Sequence, residues 1–88
     1  MNHLFPIFLK LENLHTLIVG GGYVGLEKLT AVLDNAPLAH VTLVATEISA
    51  EIKAIASQNA HLQLVEKKFE EADLEGKDLV IVGTNNKL

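Results

Sequence analysis

Residues 15–35 read HTLIVGGGYVGLEKLTAVLDN, and the change of pattern inside them decides the fold. His15 to Val19 form an apolar run that ends in three glycines, as a strand buried within a parallel sheet does. Beyond the glycines, Gly25, Leu29, Val32, Leu33 and Ala36 recur at i, i+4, i+7, i+8 and i+11, which is one face of a helix. Glu27, Lys28, Thr30, Asp34 and Asn35 fall on its other faces, and Pro37 stops it. The joint between strand and helix, Gly20-Gly21-Gly22-Tyr23-Val24-Gly25, has the spacing G-x-G-x-x-G. That spacing is informative because a strand precedes it and an amphipathic helix follows. Gly20 allows the tight turn, Gly22 lets a pyrophosphate approach the backbone, and Gly25 lets the helix pack close to the sheet. The helix N-terminus then offers free N–H groups and a partial positive charge to phosphates.

Working outward, the same alternation repeats. Residues 41–45 form a second buried strand. Ile48, Ile52, Ile55 and Ala56 mark a second helix, with Thr46 or Ser49 as its N-cap. Residues 62–66 form a third strand, residues 70–74 one helical turn ended by Gly76, and residues 79–84 a fourth strand. On the other side, residues 7–11 read as an opening strand, with Pro6 where a first strand position tolerates it. Right-handed crossovers place the four parallel strands in the order 3-2-1-4. The expected fold is therefore α/β: a Rossmann-type three-layer domain over residues 1–88, with an extra N-terminal strand.

Composition narrows the partners. With 49% apolar and 20% charged residues, the 88-residue chain has the means for one small core. Its net charge of −4 and seven lysines, with no arginine, argue against nucleic acid. Apolar runs such as 79–83 are far too short to cross a bilayer, and residues 1–11 lack the features of a secretion signal. The absence of cysteine fits a reducing cytoplasm.

The acid that usually follows the second strand and bonds the ribose is replaced by Val44, Ala45 and Thr46. Glu47 comes 27 residues after Gly20, later than the usual interval of about 20. Two readings of it stand: Thr46 and Glu47 contact the adenosine ribose, or Glu47 is a first-turn helix acid. Without an arginine to clamp a 2′-phosphate, NAD is favoured over NADP, although Lys53 weakens the point. Thr84 and Asn85 stand at the C-terminal end of the fourth strand, where open α/β sheets bind ligands; a plain polar loop is the alternative for Asn85 and Asn86. His3, His15, His40 and His61 show no ligand spacing, so no metal is expected. No G-K-[ST] follows the glycines, which excludes a P-loop. Lys67, Lys68, Glu70, Glu71 and Asp73 read as a solvated face.

Four stretches carry a more specific likeness: LFPIFLKL at 4–11, LIVGGGYVGLEK at 17–28, VTLVATE at 41–47 and FEEADLEGKDLVIVGT at 69–84. Together they resemble the NAD-binding N-terminal domain of siroheme synthase and of the stand-alone precorrin-2 dehydrogenases. The resemblance implies NAD as cofactor and oxidation of precorrin-2, a tetrapyrrole, to sirohydrochlorin, with ferrochelatase activity in some members. It implies a homodimer with the substrate between the subunits, and a cytoplasmic location is expected with it. The family's cofactor contacts carry over to Tyr23 and Val24 after the glycines, and to Thr46 and Glu47 after the second strand. With Gly20, Gly21, Gly22 and Gly25 of the turn, and with Thr84 and Asn85 at the end of the fourth strand, they make up the expected cofactor site. Asn85-Asn86 departs from the acidic pair common in the family. The family's dimerisation region and its proposed general base lie past the end of this chain, so it is expected to be the N-terminal fragment of a longer protein, inactive alone. No catalytic residue is assigned. The competing expectation is a nucleotide-sensing regulatory module without chemistry; such modules usually keep an acid after the second strand, where this chain has Ala45 and Thr46.

Overall fold

A computed structural model describes residues 13–83. Four parallel strands, β1 (His15–Val19), β2 (His40–Ala45), β3 (Leu62–Glu66) and β4 (Leu79–Val82), lie in the order β3-β2-β1-β4. The Rossmann-type order read from the sequence is thus the one found. The expected strand at 7–11 lies outside the described residues, as do Thr84, Asn85 and Asn86.

Register explains how one sheet serves two surroundings. Ile18 pairs with Leu43 and Ile81, and Leu43 pairs with Leu64, so these side chains share a face. That face packs against Leu29 and Val32 of α1 (Tyr23–Asn35) and Ile52 of α2 (Ala50–Ala56) in one buried cluster. Both helices therefore cover the same side, as two successive right-handed crossovers in one direction require. The return from β3 to β4 crosses the other side and carries only a 3₁₀ turn, Glu71–Leu74. The third layer is correspondingly thin there, and Val80 and Val82 of β4 stay exposed at 41% and 65%.

α1 ends where Pro37 was expected to end it, with Ala36 as its C-cap. Of the two N-cap candidates for α2, Ser49 takes the role: its hydroxyl accepts a bond from the Ile52 amide at 3.3 Å. Gly76 closes the 3₁₀ turn at φ 75°, a conformation that favours glycine. Among the described residues no helix is long and apolar enough to cross a membrane.

Candidate functional site

The glycine turn lies at the C-terminal edge of the sheet, clasped by the loop that follows β2. The Gly20 amide donates to the Val44 carbonyl at 3.0 Å, and the Ser49 amide donates to the Gly21 carbonyl at 2.9 Å. Gly20 has φ 133°, so the tight turn is made by the residue expected to make it. Gly25 packs directly on that turn: a Cβ built there would sit 2.2 Å from the Gly20 carbonyl oxygen. Gly83, just past β4, approaches the same spot, since its own Cβ would lie 3.1 Å from the Gly25 Cα. Helix, turn and β4 thus meet with no side chain between them.

Gly21 has a role that the G-x-G-x-x-G spacing does not state. A Cβ on it would stand 2.1 Å from the Glu47 carbonyl oxygen and 2.9 Å from the Ala45 Cβ. The loop after β2 rests on its bare backbone. Gly22 is the opposite case. No atom of the described residues lies within 4 Å of where its Cβ would be, and its φ of −98° is open to any residue.

These loops enclose an open cavity of about 580 Å³. Gly20, Gly21 and Gly22 line it, together with Ala45 to Ser49 and Phe69. Thr46 and Glu47, which sequence spacing placed doubtfully, both line it and are exposed. Tyr23, 74% exposed, begins α1 beside it. Phe69 is the residue that sequence reading missed. Its signal was an aromatic placed three residues beyond β3, on the edge where all four parallel strands end.

The two helices that start at this cavity differ in electrostatics. α1 has no side-chain cap and no acid in its first turn. Its first intrahelical bond to the turn runs from the Leu26 amide to the Gly22 carbonyl, so the amides before it are left for a ligand. α2 is closed by Ser49 and carries Glu51 in its first turn. The N-terminus of α1 is thus the one of the two whose electrostatics suit an anion, while the α2 side, with Glu47, suits hydroxyls.

Elsewhere the structure brings together residues that looked scattered. His15, His40 and His61 line up across β1, β2 and the start of β3, with ring centroids 5.4 Å and 4.8 Å apart. They stand at the opposite end of the strands from the glycine turn. Among the described residues no group of three His, Asp or Glu side chains is arranged to hold a metal ion. The supposed solvated face is also more organised than expected: Lys67 bonds Asp73 at 2.7 Å and Glu70 at 3.3 Å. Glu70 and Asp73 in turn form a capping box on the 3₁₀ turn. Hydrogen bonding to Lys67, then to the Glu70 amide, holds the Asp73 carboxyl below the usual carboxylate range. The bond to Asp73 raises Lys67 in return.

Residues 7–88 match the family described as "Putative NAD(P)-binding". The siroheme synthase of Methylococcus capsulatus is 43% identical over 82 residues, which is 93% of this chain and 17% of that protein. The siroheme synthase of Psychromonas ingrahamii is 42% identical over the same length and with the same two coverages. The chain thus spans about a sixth of the length of these curated relatives. Among solved structures, "SirC, precorrin-2 dehydrogenase" superposes with a TM-score of 0.79 at 30% identity, over 94% of this chain and 40% of that one.

Proposed function

The chain belongs to the NAD(P)-binding family that its residues 7–88 match, and from that premise we propose that it is the NAD-binding part of a dehydrogenase that oxidises precorrin-2 to sirohydrochlorin. The observation that carries the nucleotide half of this reading is the space at Gly22. A helix N-terminus with free amides opens onto a cavity at Gly22, where no atom of the described residues stands in the place of the missing Cβ. Such a cradle fits a pyrophosphate.

In this reading the amides at the start of α1, from Gly22 to Gly25, bind the phosphates, with Tyr23 and Val24 the first residues past the glycines. Thr46 and Glu47 bond the adenosine ribose, and Thr84 and Asn85, which follow Gly83 in the sequence, are the remaining cofactor contacts. Glu47 also selects: its carboxylate repels a 2′-phosphate, and no arginine in the chain offsets it. NAD⁺ supplies the acceptor for a hydride; the chain's own residues bind and orient it. The dehydrogenase half rests on the resemblance to siroheme synthases and to a precorrin-2 dehydrogenase. The same resemblance suggests a longer cytoplasmic protein, a homodimer with the tetrapyrrole between its subunits.

Two measurements test the two halves. Calorimetric titration of the chain should show NAD⁺ binding, tighter than NADP⁺; no binding overturns the nucleotide reading. The protein carrying these residues, supplied with precorrin-2 and NAD⁺, should generate NADH absorbance at the expense of precorrin-2. Binding without turnover overturns the dehydrogenase assignment alone.

A further inference from the structure

Phe69 is half-buried, yet it is not among the side chains packed on the hydrophobic core. It lines the same cavity as the glycine turn, and the strand order sets the segment after β3 beyond the loop after β2. Its loop is tied down on both sides of it. Lys67 reaches over to Asp73 at 2.7 Å and to Glu70 at 3.3 Å, and also donates to the Lys68 carbonyl at 3.2 Å. The Glu70 amide donates to the same Asp73 carboxylate at 2.8 Å. An exposed loop has no need of so many bonds to stay soluble. Their geometric effect is to fix the short bend that holds Phe69 against the cavity.

Polarity within the site says what meets that ring. Phosphates go to α1, whose N-terminus is free, and α2, capped by Ser49, stands on the other side. The strand order puts β2 and then β3 on that second side, so the nucleoside end of a dinucleotide extends past Thr46 and Glu47 toward the residues after β3. Resting on the dinucleotide reading above, we infer that Phe69 is the stacking platform for the adenine base, and that Asp73 is a positioning residue that holds it there through Lys67. An aromatic face accepts any base by stacking. The site should therefore hold AMP and ADP as well as NAD⁺, and should not gain from Phe69 when the ligand is nicotinamide mononucleotide, which has no second base.

The test uses the whole chain and three ligands: NAD⁺, AMP and nicotinamide mononucleotide. Phe69→Ala should weaken NAD⁺ and AMP by roughly ten- to a hundredfold and leave the mononucleotide unchanged. The chain has no tryptophan, so Phe69→Trp places a single indole in the wall. It should restore affinity, and its fluorescence should be quenched by AMP and NAD⁺ but not by the mononucleotide. Asp73→Asn should weaken AMP, and should have no further effect in a Phe69→Ala background. A Phe69→Ala chain that binds NAD⁺ and AMP like the wild type, or an indole blind to AMP, overturns the platform and leaves the phosphate site standing. An Asp73→Asn effect that persists without Phe69 overturns the positioning role. A wild-type chain that binds none of the three overturns the inference together with the reading beneath it.

Discussion

Gly22 and Gly25 are three residues apart in one turn, and the structure predicts opposite results from enlarging them. At Gly25 a Cβ would meet backbone, 2.2 Å from the Gly20 carbonyl oxygen and 2.7 Å from its carbon. The backbone that carries this carbonyl is held on both sides, by the Gly20 amide bonded to the Val44 carbonyl at 3.0 Å and by the Gly21 carbonyl accepting from the Ser49 amide at 2.9 Å. Overpacking of this kind costs up to about 3 kcal/mol, and the better helix propensity of alanine returns about 1 kcal/mol. Gly25→Ala should thus lose about 2 kcal/mol, or roughly 8–16 °C in Tm for a domain of this size. At Gly22 the open space and the φ of −98° predict little change in the fold. About 0.5–1 kcal/mol lost at the N-cap, where valine is much poorer than glycine, and about 0.4–1 kcal/mol gained through the unfolded chain nearly cancel. The same side chain projects where phosphate oxygens must stand. Losing two charge-assisted bonds to the α1 amides, each about 1.5–3 kcal/mol, lowers NAD⁺ affinity by about a hundredfold or more. Thermal unfolding followed by circular dichroism, with calorimetric titration of NAD⁺, separates the two. A Gly22→Val chain that binds NAD⁺ like the wild type would refute the phosphate placement. A Gly25→Ala chain that unfolds at the wild-type temperature would refute the close packing.

Three further outcomes are expected. Thr16 is buried on β1 and its hydroxyl has no hydrogen-bond partner among the described residues, so Thr16→Val should stabilise the chain by about 1 kcal/mol, read as a rise in Tm; a fall would mean the hydroxyl is satisfied. Glu47→Gln should bring the affinities for NADP⁺ and NAD⁺ closer together in parallel titrations, with unequal affinities that do not change showing that Glu47 does not select. The clamp on the 3₁₀ turn should show a pH window. Asp73 is held below its usual range, so its contribution is present above that range and is lost as pH falls through the lowered value. Lys67 is raised, so its contribution is present at neutral pH and is lost only as pH rises past the usual lysine range. The difference in stability between wild type and Asp73→Asn should therefore be flat across neutral pH, begin to shrink only below about pH 4, and be lost as pH falls through the lowered Asp73 value; a difference that disappears near neutrality would contradict the pairing.

What could be read from the chain followed from periodicity and from the rule of right-handed crossovers. The run before Gly20 and the stripe Gly25, Leu29, Val32 and Ala36 announce β1 and α1 because each element must bury one side, and the residues that do so repeat at the element's own period. Strand order follows from the two helices sharing a face. The parts of the site that were not visible are those made by neighbours distant in sequence. Gly21 occupies a variable place in G-x-G-x-x-G, and nothing within the turn demands glycine there. The demand comes from the Glu47 carbonyl, carried onto it by the β1–β2 pairing. Phe69 belongs to no periodic stripe, and the histidines have no common spacing. His15 and His40 stand together only because the register His15↔His40 aligns their strands. Motif spacing records what one loop needs of its own backbone. In a parallel sheet every loop at one edge faces the others, so the ligand-facing residues are set by register between strands. The place to look for them is therefore the first few positions after each strand, whatever pattern those positions follow.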